Sequence, residues 1–258
     1  MHNGIGIRAF GCNIAVVSDS DETLETLQGF LLPSLPRVRL DVPGAEILLR
    51  VLHDGDGFQL ICNERAKAVR DFRALATDAV RLLDEEILAR LKGLWAIHAG
   101  AVEIMGRALL LPGGTHAGKS ALVAELLRHG AVYLSDEYAL IDAQGRAHPY
   151  PRPLMLRHGT PEQTPWLPGE FNAAVGVAPV PVGWILSLVY DSAARWRIAA
   201  IPQSEALLVL LRNTPHVLPG TPGLLAALAR AAAGASSYSG RRGGATDAVE
   251  NILRLAAE

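Results

Sequence analysis

Eight residues constrain this chain more than any others: Gly113-Gly114-Thr115-His116-Ala117-Gly118-Lys119-Ser120. They fit Gly-x-x-x-x-Gly-Lys-Ser, the phosphate-binding loop. An apolar run, Ala108-Leu109-Leu110-Leu111, precedes them, and a helix-like run from Ala121 to Arg128 follows. Strand, loop and helix in that order are the context in which the pattern carries weight. The glycines let the backbone curl so that successive N–H groups face one anion. The helix start adds unpaired N–H groups and the positive end of a dipole. In this frame the stretch from Gly113 to Ala121 cradles phosphate, Lys119 reaches the β- and γ-phosphates of ATP, and the Ser120 hydroxyl ligates Mg²⁺. The chain has only three lysines, Lys67, Lys92 and Lys119, so chance placement of one here is improbable. The competing reading is a Gly-rich turn that merely caps a helix.

At 258 residues the chain has room for one large domain or two small ones. Lys and Arg number 24 against 26 Asp and Glu, a net charge of −2, so no basic excess marks a nucleic-acid surface. Cys12 and Cys62 stand far apart without metal-ligand spacing and read as buried free thiols, which suits a reducing compartment. The first residues lack a charged region followed by an apolar stretch, and no run of about eighteen apolar residues marks a membrane span. The expectation is a soluble cytoplasmic protein without nucleic-acid or membrane partners.

Periodicity predicts two short strands over 5–10 and 13–18, then a helix capped by Asp19, Ser20 or Asp21 and stopped by Pro33 and Pro36. Strands follow over 37–42 and 45–52, with Asp54-Gly55-Asp56-Gly57 turning a hairpin into 58–62. A long amphipathic helix is predicted over 71–91, and its Asp84-Glu85-Glu86 run reads as a solvated face. Gly93 ends it. This divides the chain into an α+β module over 1–93 and a second domain over 94–258. In the latter, apolar runs over 95–104 and 107–111 join at Met105-Gly106. A strand over 131–134 leads into Ser135-Asp136-Glu137, and 138–141 continues as a strand. Residues 149–183 are rich in Pro and Gly and read as a long irregular segment, either functional or poorly ordered. Strands over 184–190 and 195–201 are expected to pair. Helices are predicted over 204–212, 222–233 and 245–257, with 236–244 as a loop.

Phosphoryl transfer needs acids to orient Mg²⁺ and to accept a proton from the attacking group. Asp136 and Glu137 follow the first strand after the loop's helix, where a strand returning beside the loop places them near the γ-phosphate. A plain turn at a strand end is the alternative. His98 sits inside an apolar strand, where a histidine is more often a core residue. His116 stands within the loop itself. His148, His158, Arg152 and Arg157 lie near the Pro-rich segment, where an arginine can stabilise charge on the transferred phosphoryl group or simply face solvent.

The runs His98-Ala99-Gly100-Ala101-Val102, Gly106-Arg107-Ala108, the loop, Gly130-Ala131-Val132-Tyr133-Leu134-Ser135-Asp136-Glu137 and Pro149-Tyr150-Pro151-Arg152-Pro153-Leu154 together resemble the HPr kinase/phosphorylase family. They are most similar to its shorter members encoded beside peptide-modification genes. The resemblance covers about 95–157. It implies a fold akin to phosphoenolpyruvate carboxykinase, an α/β phosphate-loop core with a mixed sheet. It also implies roles. Asp136 matches the base toward a substrate serine, Glu137 a second acid that helps hold the metal, and Lys119 and Ser120 the phosphate lysine and Mg²⁺ ligand. His98 matches an active-site histidine, which reverses the blander reading of it. The chain departs from the HPr enzymes in lacking their downstream Arg-Gly-rich signature and in carrying Thr115-His116 where they have Ser-Gly.

The expectation is therefore an ATP- and Mg²⁺-dependent serine kinase acting on a peptide or small protein, with the C-terminal serine of a lasso-peptide precursor favoured. Lys119, Asp136 and His98 are its catalytic residues, with Arg152 as helper, and Ser120, Asp136 and Glu137 its metal ligands. The N-terminal module is a candidate for positioning the peptide, and assembly into a homo-oligomer stays open. Its rivals are a kinase of HPr or of a free small molecule such as serine, a nucleotide-binding protein without transfer activity, and a decarboxylating carboxykinase-like enzyme.

Overall fold

The computed structural model describes residues 3–32, 35–114, 117–157, 163–215 and 222–257. Its chain divides into two compact units, residues 1–92 with 157–165, and residues 93–156 with 166–258. Both mix helices with sheet, and the two large sheets each contain parallel and antiparallel neighbours.

The first unit begins with strands β1 (Asn3–Ala9) and β2 (Cys12–Ser18) and helix α1 (Asp21–Gln28). Ser20 caps that helix by accepting a hydrogen bond from the Thr23 N–H at 3.2 Å. Strands β3 (Arg37–Val38), β4 (Ile47–Asp54), β5 (Gly57–Cys62) and β6 (Arg65–Val69) complete a six-stranded sheet in the order β3-β1-β2-β4-β5-β6, and helix α2 (Phe72–Leu88) follows. The Asp54↔Gly57 pairing leaves Gly55-Asp56 as a two-residue turn, as Asp-Gly chemistry predicts. Alternation places Ile47, Leu49 and Val51 of β4 in the core. Leu75, Ala76, Ala79, Val80, Leu83 and Ile87 of α2 are also buried. Cys12 and Cys62 are buried free thiols. Burial pushes Cys62 up to about 11, so it stays protonated and unreactive at neutral pH.

Three expectations fail in this unit. The strand foreseen over 37–42 shrinks to two residues at a sheet edge. Strand β6 was not foreseen, because four of its five residues are exposed and it has no apolar alternation. The Asp84-Glu85-Glu86 run is not a solvated face, since Asp84 and Glu86 are buried and only Glu85 is exposed. Glu86 turns inward because two cations and a neutral donor meet it: Arg65 Nη2 on β6, Arg90 Nη1 at 2.6 Å, and the Asn63 amide at 2.8 Å.

The second unit is built on strand β7 (Leu94–Ile104), which turns at Met105-Gly106 into β8 (Arg107–Pro112). Both turn residues have positive φ, 52° and 76°, the geometry of a two-residue hairpin that follows the strand twist. Helix α3 (Lys119–Arg128) follows the glycine-rich loop. Next come β9 (Val132–Ser135), β10 (Tyr138–Asp142), β11 (Arg146–His148), β12 (Leu154–Leu156) and β14 (Val180–Tyr190), while β13 (Thr164–Trp166) runs across the division at 165/166. The last part comprises β15 (Arg197–Ala200), α4 (Gln203–Arg212), α5 (Leu224–Ala233), β16 (Ser236–Arg242) and α6 (Ala245–Ala257). The main sheet runs β11-β10-β7-β8-β14-β16-β15, with β9 also on β7, and β11 also pairs with the start of β14.

Two apolar clusters lie on the two faces. Val102, Leu109, Leu111, Leu186 and Leu188 pack with α3 and α6, while Ile97, Ala99, Ala101, Leu110 and Ile185 pack with α4 and α5. The result is helices on both faces of a mixed sheet.

Here too the sequence reading needs correction. The 236–244 stretch is not a loop, because residues 236–242 form β16, which lies parallel to β14 and antiparallel to β15. Residues 195–201 accordingly pair with β16 and not with β14. Ser236-Ser237-Tyr238-Ser239-Gly240-Arg241-Arg242 carries no apolar alternation, so its strand character comes from the two neighbours that bond its backbone. The Pro-rich segment is partly regular, holding β12, β13 and a 3₁₀ turn at Pro168–Phe171.

Candidate functional site

Strand β7 gathers the site. On one edge, β8 pairs Pro112 with Ala99, and the Gly113 N–H donates to the His98 carbonyl at 3.3 Å, which fixes where the glycine-rich loop begins. On the other edge, β9 and β10 pair with the same strand through Ser135↔Ala101 and Tyr138↔His98, with Asp136 and Glu137 between those pairings. The Ala99 N–H donates to the Glu137 carbonyl at 3.1 Å. His98 thus stands between the start of the loop and the acid pair because all three meet one stretch of β7.

Gly118 has φ 72° and is the cap from which α3 departs. The left-handed conformation favours glycine, as the motif requires. From the first residue of α3, Lys119 turns back over the loop. Its Nζ donates to the Gly114 carbonyl at 3.0 Å and lies 3.3 Å from His98 Nε2. Burial lowers its proton affinity, and Glu137 and Asp136 work against that. His98 Nε2 is also 2.9 Å from Glu137 Oε1. One ring nitrogen cannot accept from Lys119 and donate to Glu137 at once, so the proton on Nε2 decides which neighbour it serves.

The two adjacent acids have opposite surroundings. Asp136 is fully buried. Its Oδ2 accepts the Met155 N–H at 3.1 Å, while Oδ1 has no hydrogen-bond partner. Burial raises its proton affinity above the ordinary carboxylate range, against the opposing pull of the Met155 N–H, Arg152 and the Ser120 hydroxyl. Glu137 is also penalised by burial, but His98, Arg152 and Lys119 together outweigh that and hold its carboxyl below the usual value. Arg152 is buried, with Nη1 3.8 Å from Glu137 Oε2, and its carbonyl accepts the Tyr133 hydroxyl at 2.7 Å.

The structure therefore brings Lys119, His98, Glu137 and Arg152 into one chain of contacts, with Asp136 next to Glu137 and in electrostatic reach of Lys119, Arg152 and Ser120. Gly113, Gly114, Ala117 and Gly118 form the described part of the loop, and Ala121 is exposed on the first turn of α3. Thr115, His116 and His158 lie outside the described residues. His148 does not join the site, since its Nε2 bonds Asp142 at 3.0 Å in the turn that also holds Arg146. Arg157 belongs to the residues of the first unit.

Among the described residues no group of three or more His, Cys, Asp or Glu is arranged to hold a metal. A magnesium site at a phosphate loop is built differently, from a Ser or Thr hydroxyl, one or two carboxylates, phosphate oxygens and water. Asp136, with one buried oxygen that lacks a partner and the Ser120 hydroxyl acting on its carboxyl, fits that donor set.

Two contributors escaped the sequence reading. The Met155 N–H comes from the Pro-rich segment and has no side-chain signature. Arg242 Nη2 donates to the carbonyls of Gly118 at 2.7 Å and Ala117 at 3.4 Å. The glycine-flanked pair Arg241-Arg242 was visible, but its assignment to a loop hid the strand that carries it. No protein-family model matches this chain, and no curated protein does.

Proposed function

We propose that this protein transfers the γ-phosphate of ATP to a serine hydroxyl of a peptide or small protein. The observation that carries the reading is the convergence on β7 of a glycine-rich loop, its lysine and a buried carboxylate with one unengaged oxygen. The motif resemblance supports a peptide acceptor and favours the C-terminal serine of a lasso-type precursor.

In this mechanism the loop N–H groups and Lys119 bind the β- and γ-phosphates. Lys119 leaves Gly114 and His98 for the more highly charged phosphate, and His98 Nε2 is then free to serve Glu137. Ser120 with Asp136 and Glu137 would hold Mg²⁺, which when bound neutralises charge on the phosphate oxygens. Asp136 Oδ1 accepts the proton of the serine hydroxyl, and its raised proton affinity suits that task. The serine oxygen forms a bond to the γ-phosphorus, the bond from that phosphorus to the β–γ bridging oxygen breaks, and ADP leaves with the electron pair. Arg152 steadies Glu137 beside the reacting phosphate.

One observation favours a second reading. Asp136 is fully buried, so an acceptor hydroxyl reaches it only after a local rearrangement, whereas a nucleotide-binding protein without transfer needs none. Asp136→Asn separates the two. With γ-labelled ATP, Mg²⁺ and a panel of serine-ended peptides, HPr and free serine, a kinase loses transfer by about 10²–10⁴-fold in the variant, the usual scale of a general base. ATP affinity measured by calorimetry stays within about twofold, below 0.5 kcal/mol. Wild-type protein that binds ATP but labels no acceptor sinks the kinase reading and leaves the binder.

A further inference from the structure

Arg242 is a buried cation with no acid paired to it among the described residues. It is 2% exposed, ends strand β16, and reaches across the sheet to the loop. Its three nitrogens differ: Nη2 serves the Gly118 and Ala117 carbonyls, Nη1 the Gly243 carbonyl at 2.9 Å, and Nε has no partner. Its guanidinium lies 5.0 Å from the centroid of the Tyr190 ring. Among the described residues no carboxylate forms an ion pair with it. Burial lowers its proton affinity, and the only group acting the other way is Tyr190. Water offers little help, since the cavity lined by Pro112, Ala117, Lys119, Leu188 and Arg242 measures about 10 Å³, the room of roughly one water.

A charge of this kind is costly unless something matches it. Carbonyl dipoles match it in part, and because a trans peptide is planar, the N–H groups of Gly118 and Lys119 that share those peptides point away from the arginine. A methyl group at Gly118 would collide with Arg242 Nη2, so the loop and the arginine are fitted to each other from opposite sides.

The geometry points to Arg242 as a positioning residue for the phosphate loop, a cation whose counter-charge is the polyphosphate bound on the far side of Ala117 and Gly118. By polarising those two peptide groups it sharpens the N–H side of the loop toward an anion, and anion binding in turn steadies the junction of β16 and α6. This rests on the phosphate-loop reading but not on transfer, since it needs only a polyphosphate in the loop.

The test uses inorganic tripolyphosphate and the full chain. In calorimetry at low and high salt, Arg242→Gln should weaken tripolyphosphate binding by at least about tenfold, roughly 1.4 kcal/mol, and flatten its salt dependence. Arg242→Lys should recover most of both, because charge is what matters. Equal binding by Gln and Lys variants that have merely lost thermal stability would make the residue a structural strut and overturn the inference. If the Gln variant does not fold, the wild type still decides. Tripolyphosphate should slow hydrogen exchange at the Gly243 and Gly244 amides, more than 120 residues from the loop in sequence, and no slowing there overturns the inference. Wild-type protein that binds no tripolyphosphate fails the phosphate-loop reading itself, and the inference with it. Binding with the expected Arg242 effect but no phosphate transfer leaves the inference standing and sinks only the kinase.

Discussion

Glu86 in the first unit and Asp136 in the second are both buried acids, yet their surroundings differ in kind. Glu86 Oε1 meets Arg65, and Oε2 meets Asn63 and Arg90. Asp136 has one oxygen satisfied by a backbone N–H and one with no partner. Arg242, also in the second unit, is a buried cation without an ion-pair partner among the described residues. The Glu86 cluster is complete as it stands, as expected of groups that only hold a fold. Those at the loop are incomplete, since Asp136 Oδ1 and Arg242 Nε have no partner; under the proposed function the partners they await are a serine hydroxyl and a polyphosphate. The comparison teaches that burial alone does not tell these charges apart, whereas the state of satisfaction does, and perturbed, unsatisfied groups are where a functional site is first sought.

The largest stability effect should come from the satisfied side. Glu86→Ala removes the acid that three donors share, and thermal or urea unfolding should show a loss of about 3 kcal/mol, the low end for a broken buried pair because Arg65 stays half exposed. A loss below 1 kcal/mol would erase the contrast. Smaller shifts are expected at the loop, with opposite signs for the two neighbouring acids. Burial raises Asp136, so its contribution to stability is full below the ordinary carboxylate range and is lost as pH rises through its folded value. Asp136→Asn should therefore gain on the wild type as pH rises from 4 to 8. Glu137 is depressed, so its contribution is present above the ordinary range and lost as pH falls through its folded value. Glu137→Gln should be the weaker protein at pH 7 and approach the wild type in acid. Melting curves across that range check both, and parallel curves would mean that the two environments do not differ. The smallest effect belongs to Glu85→Ala, whose partner Arg65 is also half exposed, with a change within about 0.5 kcal/mol.

The loop, the hairpin at Met105-Gly106 and the acid pair were legible because each carries chemistry that depends on residue type at fixed spacing. Helix α2 was legible from its apolar stripe. What could not be read was set by neighbours distant in sequence. The inward turn of Glu86 depends on Arg65, which lies on a strand too exposed to announce itself. Strand β16 is polar and small-residued, and it becomes a strand through the backbones of β14 and β15. Arg242 went unseen for the same reason. The proximity of His98 to both loop and acids was suggested only by resemblance, since nothing local to an apolar strand tells its histidine from one in a core.

The pairing of Gly118 with Arg242 spans 124 residues, and it bears on how the protein comes into being. During synthesis the loop, its helix and the acid pair emerge well before β16. Until residue 242 has left the ribosome, the strand that backs the loop cannot be inserted between β14 and β15. The contact that backs the glycine-rich loop is thus among the last to be completed, and long-range pairing of this kind is slow. A nascent chain halted before β16 should leave the loop without its arginine, with Gly118 and Ala117 lacking the donor that holds their carbonyls.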